Sequence, residues 1–269
     1  AFRPAISMKP QDFSPAAMSE ALTALRRLRP LVHCLTNDVV QEITANVLLA
    51  AGASPAMVVA EQEVESFAAV ADALLINVGT LFESRLQAMK LAVAAAQGAK
   101  KPWVLDPVAA GGISWRDARI QELAAMKPTV IRGNASEILA LAGAGAGGKG
   151  VDSTASSEAA LPAASALAKQ LGCTVCVTGK TDFSTDGERI LAVSGGHPMA
   201  TLVVGTGCSL SALVAAYCAA VPDPVVAAAA ACMHAKRAAE AAWTRAQAPG
   251  SFHAAYIDAL FELQPADFA

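Results

Sequence analysis

Ala73-Leu74-Leu75-Ile76-Asn77-Val78-Gly79 decides how this chain folds. The run is apolar at consecutive positions and does not alternate with polar residues, so a strand formed here must be covered on both faces, as in parallel sheets flanked by helices. The same pattern extends in both directions. Upstream, Leu31-Val32-His33-Cys34-Leu35-Thr36 runs into a polar Asn37-Asp38 turn, and helical spacing follows over 39–51, with Gly52 as its stop. Residues 54–59 and 61–71 read as a second strand and helix. Downstream come a helix over 80–98, strands over 102–107 and 129–132, a helix over about 114–126, and another opening at Ala135-Ser136-Glu137. Strand-then-helix units in this succession predict a mainly parallel α/β sheet, helices on both faces and right-handed crossovers. A helix over 154–171, a strand over 173–178, an Asp186-Gly187 hairpin over 181–193 and helices over 206–218, 223–246 and 252–262 complete the expected order.

The chain has 269 residues, 54% of them hydrophobic and 16% charged, which suits one globular domain with a sizeable core. We expect that domain over 20–269 and a flexible N-terminal arm over 1–19, where Pro4, Pro10 and Pro15 interrupt any pattern. A net charge of -3 leaves no basic footprint for nucleic acid. No apolar run approaches the roughly 18 residues of a membrane span, and the Ala-rich run 225–232 reads as a buried helix. The first residues lack the continuous apolar region of a signal peptide. Four of the six cysteines lie in apolar runs as small hydrophobes, so the expected compartment is the cytoplasm. Cys173 and Cys176 fall three apart on a strand and face opposite sides, which argues against a metal clamp or redox couple. His33, His197, His234 and His253 show no ligand spacing, and His234 reads as a packed histidine in an alanine helix.

Ligands of parallel α/β sheets lie outside the carboxyl ends of the strands. Asn37, Asp106, Arg132, Thr178-Gly179 and Gly205-Thr206-Gly207-Cys208 all fall at such ends. The last of these follows Val203-Val204 and feeds directly into a helical run. The free N–H groups and dipole of that helix end suit an anion, although a glycine-bearing turn before a buried helix has the same composition. A thiol at that end has its pKa lowered, making Cys208 a base or an orienting group; no paired histidine points to a covalent nucleophile. Asp106 before Pro107 is either an Asx turn or a carboxylate holding Mg²⁺ against phosphate oxygens. Glu137 is either a first-turn cap or a second acid near the metal. Arg132 pairs with a surface acid or forks onto a nucleotide phosphate, and Met57 is core filler or a contact for an aromatic ligand. The glycine tract 143–150 reads as a connector, because no strand precedes it. Acids and an arginine converging on an anion loop favour phosphoryl transfer over a non-catalytic binding module.

The runs Asn37-Asp38-Val39-Val40-Gln41-Glu42-Ile43-Thr44-Ala45-Asn46, Ala53-Ser54-Pro55-Ala56-Met57, Asn77-Val78-Gly79-Thr80-Leu81, Asp106-Pro107-Val108, Arg132-Gly133-Asn134, Gly150-Val151-Asp152, Val177-Thr178-Gly179 and Gly205-Thr206-Gly207-Cys208 resemble, in order and spacing over about 28–252, the hydroxyethylthiazole kinases of thiamine salvage. Sugar kinases of the wider ribokinase-like group usually end the anion loop in aspartate, whereas this subfamily tolerates cysteine. The resemblance implies a ribokinase-like α/β fold and transfer of the ATP γ-phosphoryl to the primary hydroxyl of 4-methyl-5-(2-hydroxyethyl)thiazole. It also implies a homotrimer with sites at subunit interfaces. By the same resemblance, Met57 and Gly205 contact the thiazole, Asn37 is a substrate-side polar group, and Arg132 and Thr178 contact ATP. Asp106 and Glu137 match acidic positions near Mg²⁺, and catalysis centres on Gly205, Gly207 and Cys208. Ala109 departs from the pattern, because relatives commonly carry glycine there, and its methyl restricts the loop beside Asp106. The alternative is a related kinase for another small heterocyclic alcohol such as hydroxymethylpyrimidine.

Overall fold

Strands apolar on both faces need two covering layers, and the computed structural model, which describes residues 9–143 and 156–268, supplies them. The strands are β1 (Gln11–Asp12), β2 (Leu31–Leu35), β3 (Ser54–Ala56), β4 (Ala73–Asn77), β5 (Trp103–Asp106), β6 (Val130–Asn134), β7 (Thr174–Thr178), β8 (Asp182–Thr185) and β9 (Ile190–Val193). The helices are α1 (Pro15–Leu28), α2 (Gln41–Ala51), α3 (Glu61–Val70), α4 (Glu83–Gly98), α5 (Ser114–Ala125), α6 (Ala135–Leu141), α7 (Ser157–Leu171), α8 (Thr206–Ala220), α9 (Pro224–Arg245) and α10 (Pro249–Glu262). The nine strands of the described residues form one sheet in the order β1-β9-β8-β7-β6-β5-β4-β2-β3. From β3 to β7 every pairing is parallel, and the β8–β9 hairpin runs antiparallel.

Along β4, Ala73 and Leu75 point into one hydrophobic core while Leu74 and Ile76 point into the other. This is the alternation of a pleated strand with both faces covered. The first core is closed by α1, α2, α8, α9 and α10, and the second by α3 to α7. Nine of the fifteen residues of α8 are buried, which explains a helix apolar around nearly its whole circumference. The sheet order reverses beside β2: β3 is added on one side and β4 on the other. Such a reversal opens a crevice at the carboxyl ends of the strands.

Four expectations are corrected. Residues 11–19 do not form a loose arm. Gln11–Asp12 pairs with β9, Phe13 is buried, and the Ser14 hydroxyl accepts from the Ala17 N–H to cap α1. The strand expected over 54–59 stops at Ala56, and the helix expected from residue 80 begins at Glu83, because Thr80 turns the chain at φ +45°. The final helix opens earlier than expected, at Pro249, where a fixed φ suits the first helical turn. Most of the glycine tract 143–150 and the Gly150-Val151-Asp152 run lie outside the described residues.

Candidate active site

Parallel neighbours bring their carboxyl ends side by side, so residues far apart in sequence meet along one edge. Asn37 follows β2, Asn77 ends β4 and Asp106 ends β5. Asn37 Nδ2 donates to Asn77 Oδ1 at 3.0 Å, and Asn77 Nδ2 donates to Asp106 Oδ2 at 3.0 Å. The Ser211 hydroxyl, one turn into α8, donates to the same Asp106 oxygen at 2.7 Å. All four side chains are buried, which suits a polar chain whose members satisfy one another. Burial pushes the Asp106 carboxyl well above the ordinary range; Arg132 opposes this and Glu137 adds to it. Asn77 stands in a stretch quoted above and Ser211 in the helical run after Cys208, but neither carries a role in the sequence pattern.

Arg132, on β6, reaches across this edge. Its Nη1 donates to the Gly207 carbonyl at 2.9 Å and its Nη2 to the Thr178 hydroxyl at 2.5 Å, with Asp106 Oδ2 3.9 Å from Nη1. Burial works against its charge, but the Asp106 and Glu137 carboxylates more than offset this and hold its pKa above the ordinary value. The guanidinium is therefore a fixed cation aimed at the start of α8, and the surface ion pair weighed as its alternative is not what forms.

The start of α8 has no side-chain cap among the described residues and no acid in its first turn, leaving its N–H groups free for a ligand. Gly205 is the N-cap at φ +90°, a left-handed conformation that strains any residue with a Cβ. A Cβ there would also stand 2.5 Å from Ile43 Cγ2. A Cβ on Gly207 would stand 3.2 Å from Arg132 Nη1, so the bare backbone is what lets the guanidinium lie against the helix end. The next residue, Cys208, receives a hydrogen bond from Asn37 Nδ2 at 3.6 Å. One helical turn thus touches both halves of the crevice.

The sequence argument for a lowered Cys208 pKa fails. Burial, reinforced by the Asp106 carboxylate, pushes the thiol up to about 11, and the hydrogen bonds from Asn77 and Asn37 offset only part of this. The side chain is a neutral orienting group at ordinary pH. Glu137 adopts its structural reading: Asn134 Oδ1 accepts from the Glu137 N–H, and Glu137 Oε2 accepts from the Asn134 N–H, forming a capping box. Its Oε1 accepts from the Ala109 N–H at 3.0 Å. Ala109 itself is held at φ +60°, where glycine is at ease, so the expected restriction by its methyl takes the form of a strained backbone.

A cavity of about 700 Å³ opens beside this edge, large enough for a nucleotide. Arg132, Thr178, Thr206 and Gly207 line it, as do Lys236 and His197. The His197 ring stacks on Trp243 with centroids 3.9 Å apart. Met57, Asn37 and Cys208 lie outside that lining. Met57 follows the border strand β3 and is half-buried against the core that α2 and α8 share. The structure therefore gathers Asn37, Asp106, Arg132, Thr178, Gly205, Gly207 and Cys208, while Glu137 braces the Ala109 loop and Met57 stays with the border strand.

The family model described as "Hydroxyethylthiazole kinase family" matches residues 22–266. A hydroxyethylthiazole kinase of Klebsiella pneumoniae is 57% identical over 253 residues, spanning 94% of this chain and 98% of its own. The solved hydroxyethylthiazole kinase of Pyrococcus horikoshii superposes with a TM-score of 0.85 at 40% identity, covering 92% of this chain and 93% of its own. An ADP complex of Bacillus subtilis pyridoxal kinase shares the fold with a TM-score of 0.58 at 19% identity, covering 77% of this chain and 90% of its own.

Proposed function

Because the chain belongs to the hydroxyethylthiazole kinase family, with a ribokinase-like α/β fold, we propose that it transfers the γ-phosphoryl group of ATP to the primary hydroxyl of 4-methyl-5-(2-hydroxyethyl)thiazole. The product is the thiazole phosphate used in thiamine salvage. The observation that carries this reading is the uncapped start of α8, with Arg132 against Gly207 on one side and Asn37 against Cys208 on the other.

The nucleotide occupies the cavity walled by Arg132 and Thr178, with its terminal phosphate on the free N–H groups of α8. The alcohol approaches from the Asn37 side, where Met57 and Gly205 contact the thiazole. Phosphoryl transfer asks for alignment and for stabilisation of charge spread over the moving oxygens, and the helix end with the Arg132 guanidinium supplies both. The Cys208 thiol, pushed up to about 11, aligns the attacking hydroxyl and does not take its proton at neutral pH.

The residues fit a divalent ion held through water. Asp106 Oδ2 is already engaged by Asn77 and Ser211, and each Glu137 oxygen accepts one backbone N–H, but carboxylate oxygens keep further acceptor capacity. Asp106 and Glu137 would hold Mg²⁺ through its retained waters, and the ion would neutralise charge on the ATP phosphates.

We also read the assembly as a homotrimer with sites at subunit interfaces. Val39, two residues past Asn37, and Val204, beside Gly205, are each 67% exposed and leave apolar side chains near the alcohol end. Sedimentation equilibrium should return a mass three times that of the chain. The expected compartment is the cytoplasm; no described helix is long and apolar enough to cross a membrane.

The deciding experiment is ADP release and product mass with ATP, Mg²⁺ and either the thiazole alcohol or hydroxymethylpyrimidine. Turnover only with the thiazole supports the reading, preference for the pyrimidine moves the substrate, and binding without ADP release removes the chemistry.

A further inference from the structure

We propose that Lys236 is a positioning residue that ties together two segments lining the nucleotide cavity, an inference that rests on the nucleotide site read above. Lys236 lies on α9, and its side chain is almost fully buried. Its ammonium stands 3.0 Å from the Gly179 carbonyl, 3.1 Å from the Lys180 carbonyl, 3.3 Å from the Gly195 carbonyl and 3.3 Å from Asp182 Oδ1. Gly179 and Lys180 directly follow Thr178, the hydroxyl that receives Arg132. Gly195 belongs to the segment after β9 that brings His197 to the cavity lining.

A lysine lining a nucleotide cavity is ordinarily expected to reach for phosphate. Here an ammonium with three protons faces four oxygens, so no donor remains for a ligand. Its charge is spent on three backbone carbonyls that would otherwise lack a cation to converge on, and on a buried carboxylate. Asp182 completes the tie by accepting the Gly179 N–H at 2.9 Å. One turn further along α9, Glu240 Oε1 accepts the Gly196 N–H at 2.9 Å, so two side chains of one helix face fasten the same segment. The tie holds the Thr178 turn and the Gly195–His197 segment, both of which line the cavity, at a fixed separation along one side of it.

The test compares the parent enzyme with Lys236→Met and with the double variant Lys236→Met/Asp182→Asn, which removes the ammonium without leaving a buried carboxylate alone. The expected result is a folded double variant whose KM for ATP and dissociation constant for ADP rise by about tenfold or more. Its KM for the thiazole alcohol should stay within about twofold of the parent value. Partial recovery of ATP affinity by added methylammonium, in Lys236→Ala/Asp182→Asn and not in the parent, would place the effect in the lost ammonium. Equal weakening of both substrates, or an unchanged KM for ATP in the folded double variant, overturns the proposal. If the parent itself releases no ADP, the nucleotide reading fails first. If the parent turns over and only the variants are unaltered, the Lys236 assignment alone falls.

Discussion

Replacing Gly205 by alanine tests whether the start of α8 must occupy its observed position. The backbone there is at φ +90°, and placing an L residue in the left-handed region costs about 1–2 kcal/mol. The added methyl would stand 2.5 Å from Ile43 Cγ2 and 3.1 Å from Val40 Cγ1, well inside the roughly 3.5–4.0 Å of a normal carbon contact. Overpacking of this kind costs about 1–3 kcal/mol, so the variant should lose about 2–5 kcal/mol from a total of about 5–15 kcal/mol. For a parent stability above about 5 kcal/mol it still folds at 25 °C. Relieving the contact requires the helix end to move by about 1 Å, a displacement that costs about a hundredfold in rate when it misplaces reacting groups. Urea unfolding and an ADP-release assay read the two effects separately. Ile43→Ala in the Gly205→Ala background removes the opposing methyl, so it should cost at least about 1 kcal/mol less there than in the parent. A Gly205→Ala enzyme with parental stability and rate, or a strictly additive cycle, would refute the argument.

Arg132→Ala should raise the KM for ATP by roughly tenfold to a hundredfold, the scale of a hydrogen bond to a charged group, and the KM for the thiazole much less; equal effects would remove Arg132 from the nucleotide side. Cys208→Ala should slow kcat by about tenfold or less, and the pH–rate profile of the parent should show no thiol ionisation below about pH 9, because burial holds that thiol near 11. Loss of all turnover would restore Cys208 as an essential base. Burial lowers the His234 pKa from 6.5 to about 4, while Tyr217 and the Leu260 carbonyl bond its two ring nitrogens. The unfolded chain therefore binds the proton more readily, and stability present above pH 6.5 should decline by up to about 3 kcal/mol as pH falls toward 4. His234→Gln should flatten that part of the urea profile, and an unchanged slope would contradict it.

The parallel half of the sheet is legible because burial on two faces writes itself into consecutive residues, as in Leu74-Leu75-Ile76. The site positions are legible because Asn37, Asp106, Arg132 and Thr178 each interrupt such a run where it ends. Their partners are not. Ser211 meets Asp106 across 105 residues and Asn77 meets it across 29, distances over which local spacing carries no information. Cys208 misleads for a related reason: the helix end is a local feature, but the burial and the Asp106 charge that outweigh it come from the tertiary fold. At the N-terminus the signal was present and weak. Ser14-Pro15 is an ordinary helix opening, and scattered prolines around it suggested disorder instead.

The sheet's two outermost strands are short, two residues in β1 and three in β3, and β3 carries Pro55, which has no N–H to offer. Long flat borders invite strand addition from other molecules, and proline or brevity removes the template. Both flanks of the sheet therefore offer a passing chain too short a ladder to extend.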